Sequence, residues 1–262
     1  MKNLRGVYTI WYRDILRFWH DKMRMAGSIT FPLLFLFVFG SGLSARMGSL
    51  GPGIDFVQFI FPGIIGMTVL MSSFMAGVSV VWDREFGFLK EVLVAPISRA
   101  SVAIGKTLGA ATVALFQGMI ILLLAPLIGV SFSAWTILAL LPLMLLLAVS
   151  MGSLGILLAT RIRSMEAFQA VMQMLMFPMV FLSGVFFPLE GLPSWMNVIV
   201  KLNPATYGIA PIRQVVLGTT PGSAFAINLF GHTLSLWENI TLLAVFGAVM
   251  ILLAIWSFSH QE

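Results

Sequence analysis

One charged stretch organises the residues of this chain that could do chemistry. Residues 82–106 hold seven of the 25 charged residues, Asp83, Arg84, Glu85, Lys90, Glu91, Arg99 and Lys106, and long uncharged runs lie on both sides. Within that stretch, residues 84–93 read as an amphipathic helix. Phe86, Leu89 and Leu93 recur at i, i+3 and i+7, while Glu85, Lys90 and Glu91 lie off that stripe. Pro96 ends the helix, because it has no N–H to donate and its ring restricts the residue before it. Ser98 is placed to cap the helix that follows. A short charged helix between two apolar runs suits docking to a soluble partner rather than bond-making.

Other chemical signals are weaker. Residues 100–107 match a relaxed phosphate-loop pattern, with Gly105, Lys106 and Thr107 at its end. A working loop follows a buried strand and cradles phosphate with its backbone N–H groups. Here Lys106 begins an apolar run, so it reads as an anchor at the membrane interface. His20, His232 and His260 are scattered and form no spaced ligand cluster. Ser183-Gly184 is not a nucleophile elbow. Inside the apolar runs the polar groups are amides and hydroxyls: Gln58, Thr68, Ser72, Ser73, Thr112, Gln117, Gln169 and Gln173. Most of these are expected to hydrogen-bond between helices. Ion-coupled carriers place ionisable groups at membrane depth, and none is expected at mid-span here. Any transport would then draw its energy from a partner.

The elements that position these residues are set by composition. The chain has 262 residues, 59% hydrophobic and 10% charged, with no cysteine. Soluble domains carry about 25% charged residues, so lipid must solvate much of this surface. The net charge of +5 comes from basic residues that border apolar runs. It reflects membrane topology rather than nucleic-acid binding.

In chain order, residues 1–26 carry six basic residues among Leu4, Val7, Tyr8, Trp11, Ile15, Phe18 and Trp19, whose steps of three and four put them on one helical face. This reads as a basic amphipathic helix in the headgroup plane, either a topology anchor or also a lever on a partner. A start this long and basic argues against a cleaved signal peptide. Uncharged runs at 25–45 and 56–82 each suit one span of about 20 residues. Residues 107–160 are uncharged and suit two spans, broken near 126–133, where Pro, Gly and Ser cluster. Residues 167–189 and 239–261 complete six. Residues 190–238 break into pieces of about ten apolar residues. These are too short to cross and fit re-entrant or interfacial helices.

With the N-terminus inside, the inner segments hold twelve Lys and Arg. The outer ones hold three, Arg46, Lys201 and Arg213. This bias places both termini in the cytoplasm of a cell (inner) membrane protein. The expected fold is an all-α membrane protein with six transmembrane helices, in one domain spanning 1–262.

The block from Asp83-Arg-Glu-Phe-Gly-Phe-Leu-Lys-Glu to Arg99 resembles the cytoplasmic signature of ABC-2 type permeases, particularly the daunorubicin-resistance-like efflux branch. A second block, Phe181-Leu-Ser-Gly-Val-Phe-Phe-Pro-Leu-Glu-Gly-Leu-Pro-Ser-Trp195, continuing through Leu202-Asn-Pro-Ala-Thr-Tyr207 to Arg213, resembles the same family. The resemblance covers nearly the whole chain. It implies a permease without its own ATP site, which dimerises with itself or a related chain and binds two copies of a separate ATPase carrying ATP and Mg. It places a coupling helix at Arg84, Glu85, Phe86, Leu89, Lys90 and Glu91. It places an outer gate at Phe187, Pro188, Pro193, Trp195, Asn203, Pro204 and Tyr207. A cargo path between protomers would be lined by spans two and five, with Met71, Phe74, Met75, Gln173, Phe177 and Phe181. The expected activity is multidrug-type efflux of a lipophilic drug-like or lipid-like compound. The alternatives are export of a polysaccharide or lipid-linked glycan, or a membrane enzyme or structural protein without transport.

Overall fold

The computed structural model describes residues 2–47, 56–87, 97–128, 130, 133–162, 164–218, 227–229 and 232–259, with backbone alone at 2, 24, 39–47, 127 and 128. It is a helical bundle. In order come α1 (Lys2–His20), α2 (Lys22–Met47), α3 (Phe56–Phe74), α4 (Ala76–Glu85), α5 (Arg99–Leu123), a 3-10 turn (Ala125–Ile128), α6 (Ala134–Arg161), α7 (Met165–Phe181), α8 (Ser194–Leu202), α9 (Pro204–Leu217) and α10 (Leu236–Ser259). One small antiparallel pair, Asn228–Leu229 with His232–Thr233, precedes α10. It departs from the all-α expectation.

Four helical stretches among the described residues are long and apolar enough to cross a bilayer: Phe56–Glu85, Arg99–Leu123, Ala134–Arg161 and Leu236–Ser259. Met25–Val38 within α2 and Met165–Phe181 are shorter apolar stretches. The six-span expectation therefore rests on these two also crossing. The break expected at 126–133 falls between the 3-10 turn Ala125–Ile128 and α6, which Ser133 starts by accepting from Thr136 N at 3.1 Å. Ser98 caps α5 by accepting from Ser101 N at 3.1 Å.

Helices α3, α5, α6 and α9 form the interior, and α10 packs on α6 with its outer face exposed. Phe59, Ile64, Leu70, Met144, Leu147 and Ile209 are fully or almost fully buried there. Membrane helices gain little from hydrophobic burial against one another, so close approach and dispersion must hold them. Gly77 and Gly155 show this at the α4–α6 crossing. A β-carbon at Gly77 would collide with the Gly155 carbonyl and the Phe168 ring, and one at Gly155 with the Phe74 carbonyl. α7 packs mainly on α4 and α9 and leaves its other faces exposed.

The expected helix over 84–93 is not continuous. α4 carries the second span through Glu85, and Phe86 closes it. Gly87 then adopts φ +77°, a left-handed turn that glycine enters without a β-carbon penalty. Arg84 and Glu85 thus belong to the end of a span. Leu89, Lys90 and Glu91 lie outside the described residues.

Candidate functional site

The charged end of the bundle is built around Asp83, 6% exposed, and Lys106, 2% exposed. Lys106 Nζ donates to Asp83 Oδ2 at 2.6 Å and to Ser79 Oγ at 2.6 Å. Arg13 reaches the same Asp83 oxygen at 2.7 Å and Asp14 at 3.0 Å. Arg17 lies 3.6 Å from the other Asp83 oxygen, its guanidinium carbon 4.6 Å from the Trp82 ring centroid. Burial opposes the charge on Arg13, but Asp14 and Asp83 outweigh it and hold its pKa above the usual value. Lys106 is therefore not a snorkelling anchor. It is a buried ion whose partners come from α1 and α4. The phosphate-loop resemblance also dissolves, because residues 100–107 lie in the first turns of α5.

The geometry of α1 makes this network possible. Gly105 and Gly109, four residues apart on α5, leave room for α1. A β-carbon at Gly105 would sit 3.0 Å from Val7 O, and one at Gly109 3.0 Å from Asp14 Cβ. Trp11 Nε1 donates to Thr112 Oγ1 at 3.0 Å across the same seam. Leu4, Tyr8, Tyr12, Leu16 and Trp19 make an exposed stripe on α1, as an interfacial helix requires. The sequence pattern found an amphipathic helix but not its second face, which is clamped to α5.

α1 also touches both ends of the charged stretch. Arg13 and Arg17 meet Asp83 and Trp82 at its start. Asn3 Oδ1 accepts from Ser98 N at 3.2 Å near its end, and Gly6 abuts Ile97. Two further arginines tie this stretch to the bundle. Arg84 donates to the carbonyls of Ala159 at 3.1 Å and Ile162 at 2.8 Å, at the C-terminus of α6. Arg99 donates to Ser259 O at 2.8 Å, at the C-terminus of α10. Cations at helix C-termini satisfy free carbonyls and the helix dipole together. Arg84 points inward, whereas Glu85 and Phe86 are exposed, Phe86 at 74%.

The opposite end is organised by Asn203 and Arg213. Asn203 closes α8, caps α9 by accepting from Ala205 N at 3.1 Å, and donates to Met179 O on α7 at 2.8 Å. Pro204 occupies the first turn of α9, where its missing N–H costs nothing. Tyr207 donates to Lys201 O at 2.6 Å, and burial raises its pKa. Arg213, expected as an outer loop charge, is 1% exposed. It donates to Gly184 O at 2.6 Å and Val185 O at 3.3 Å, and stacks 4.3 Å from the Phe59 ring centroid. It holds the turn after α7 to α9. Phe187 and Pro188 are half-buried beside that turn, while Pro193 and Trp195 are exposed.

The residues expected along a path divide. Met71 and Met75 line a cavity of about 190 Å³ between α2, α3 and α5, together with Ser28, Phe31, Thr68, Ser72 and Gln117. A smaller hollow of about 40 Å³, lined by Asp14, Arg17 and Ser79, shares Ser72 and Met75 with it. Phe74 is buried in the core. Gln173, Phe177 and Phe181 lie on the exposed face of α7. There Phe177 stacks on Phe181 at 4.4 Å, and Phe186 links Phe181 to Phe35 of α2 at 5.0 and 5.1 Å.

The chain is 29% identical over 258 residues to a protein of Cyanophora paradoxa named transport permease ycf38, covering 95% of this chain and 88% of the relative. It is 29% identical over 216 residues to the inner membrane transport permease YadH of Escherichia coli K12, covering 80% of this chain and 82% of the relative. Nodulation protein J of Rhizobium meliloti is 26% identical over 217 residues, covering 80% and 81%. The profile of the ABC-2 type transporter family matches residues 5–217. With relatives named as permeases and apolar helices long enough to cross a bilayer, the chain belongs to the ABC-2 type transporter family as a membrane-integral transport permease.

Proposed function

We propose that this chain is the membrane half of an ATP-driven exporter in the inner membrane. It would act as two permease copies with two copies of a separate ATPase, moving a lipophilic compound outward by alternating access. Both termini, α1 and residues 82–106 face the cytoplasm in this reading. One observation carries the coupling part: α1 is fastened to both ends of the charged stretch, at Asp83 and at Ser98. A partner pressing on exposed Glu85 and Phe86 would load α4 directly. The load passes to α1 and α5 through Asp83 and Lys106, to α6 through Arg84, and to α10 through Arg99. The charged stretch thus holds four spans and α1 by polar contacts, which suits a rigid lever. The segment 181–213, tied by Asn203 and Arg213, is the outer gate. The exposed apolar faces of α2 and α7 are where a second copy would close a cargo path.

The test is affinity purification of the tagged protein in mild detergent from its native host, with subunit identification and an ATPase assay. A co-purifying ATPase near one copy per permease supports the reading, and Glu85→Lys with Glu91→Lys should lower its recovery about ten-fold. A permease that elutes alone across several detergents overturns it.

A further inference from the structure

Two hollows meet end to end under the elbow between α1 and α2. The smaller, about 40 Å³, is lined by Asp14, Arg17, Ser72 and Met75 beside the charged network. The larger, about 190 Å³, continues from the same Ser72 and Met75 to Met71, Phe31 and Thr68. Together they make one groove along the second span, with α1 across its charged end and α2 and α5 as its sides. Gly27 and Gly109 leave room for it. Its rim is open, because Phe31 and Met71 are exposed.

The groove has a length and a polarity. Ser79 at the charged end and Thr68 at the far end are eleven residues apart on the second span, about 16 Å at 1.5 Å per residue. That is close to half of about 30 Å of hydrocarbon, the depth of one leaflet. At the far end the wall is largely apolar, since Thr68 and Ser28 donate to their own helix carbonyls, Ile64 O and Met25 O, each at 2.8 Å. At the charged end stands Arg17, its side chain 38% exposed. Asp83 Oδ1 lies 3.6 Å from it, beyond hydrogen-bond range. The Trp82 ring, 4.6 Å away, holds the guanidinium in place. Asp14 lines the same hollow, but its carboxylate bonds Arg13 at 3.0 Å and faces Lys106 at 3.9 Å. The charge offered to an incoming head is therefore that of Arg17, whose fork of N–H donors fits phosphate.

We propose that this groove holds an anionic phospholipid of the leaflet at the charged end, its phosphate on Arg17 and one acyl chain laid along Met75, Met71 and Phe31. A zwitterionic head fits less well, because its cation would enter beside Arg13, Arg17 and Lys106. Two methionines let the groove repack around chains of different shape. Such a lipid would brace α1 against the second span from the side that the ion pairs leave open. Binding does not depend on the transport reading, nor on which side of the membrane the charged end faces.

The test uses the purified permease alone, stripped of lipid in a neutral detergent, so transport is not assayed. Phosphatidylglycerol with a diazirine midway along one acyl chain is photolysed and the labelled peptides are mapped. The expected label falls on peptides containing Phe31, Met71 or Met75. Unlabelled phosphatidylglycerol should compete about ten-fold better than phosphatidylcholine, the scale of one charge-assisted hydrogen bond at a partly exposed site. Glycerol 3-phosphate, a head without a chain, should not compete. Arg17→Gln should bring the two lipids within about two-fold of each other. Arg5→Gln removes an exposed cation twelve residues away on α1 and should keep the preference, whereas a general surface attraction would respond to both changes alike. Met71→Trp fills the groove without touching the ion pairs and should remove the label from the Phe31 and Met75 peptides. Label spread evenly over exposed helix faces, equal competition by the two lipids in the unmutated protein, or competition by glycerol 3-phosphate overturns the proposal whether or not the variants fold. Equal loss of preference in Arg5→Gln and Arg17→Gln, or label that persists in Met71→Trp, overturns it as well.

Discussion

Asp83→Asn should be the most damaging single change at the charged end. The substitution keeps shape but removes the charge that faces Lys106 at 2.6 Å, Arg13 at 2.7 Å and Arg17 at 3.6 Å. Lys106, 2% exposed, would keep Ser79 and a neutral amide oxygen, with a distant Asp14 oxygen at 3.9 Å as its remaining counter-charge. Removing one partner of a buried pair costs about 3–5 kcal/mol, because the remaining charge stays desolvated. At about 2–4 °C per kcal/mol for a chain of this size, the apparent melting temperature should fall by about 6–20 °C. Lys106→Met should cost less, about 1–2 kcal/mol, since Asp83 keeps both arginines. The double change Asp83→Asn with Lys106→Met should recover most of the loss, because no uncompensated buried ion remains. Fluorescence-detected size-exclusion after a heating series measures all three. A fall under about 2 °C for Asp83→Asn, or an additive double variant, would refute the buried-network reasoning, since solvated ion pairs contribute only about 0–1 kcal/mol.

Arg84→Ala removes the donor to the α6 carbonyls. It should cost about 1–2 kcal/mol and lower ATP-dependent export in proteoliposomes while partner co-purification stays unchanged; lost co-purification would mean that Arg84 touches the partner itself. Arg213→Met frees the Gly184 and Val185 carbonyls and should cost about 2–3 kcal/mol, with Arg213→Lys partly restoring the melting temperature. Gly77→Val forces the α4–α6 crossing apart and should cost at least about 3 kcal/mol, whereas Gly27→Ala, which meets nothing within 4 Å, should leave the melting curve within about 0.5 kcal/mol.

The bundle was largely legible because its signals are local. Apolar run length, Ser98 as a cap, and the Pro126–Ser133 break all depend on neighbours within a few residues. The short helices α8 and α9 followed from prolines and from apolar pieces too brief to cross. One local signal misled. The i, i+3, i+7 pattern through Phe86 suggested a helix continuing past residue 87, but Gly87 turns left-handed there. The pattern carried no information on whether span and loop join.

Sequence alone determined that this chain lives in lipid, where its long apolar runs lie, and that its charge gathers in residues 1–26 and 82–106. Tertiary structure decided what the charges and amides do. Asp83 and Arg13 are 70 positions apart, Arg99 and Ser259 160 apart, and Gln117 and Ser28 89 apart. A lysine in lipid can reach the interface or be buried against a carboxylate, and both leave the same local pattern. Only the close approach of α1 to α5 at Gly105 and Gly109 selects between them. The free energy of a buried charge is set by its partners, and partners are a property of the packed helices.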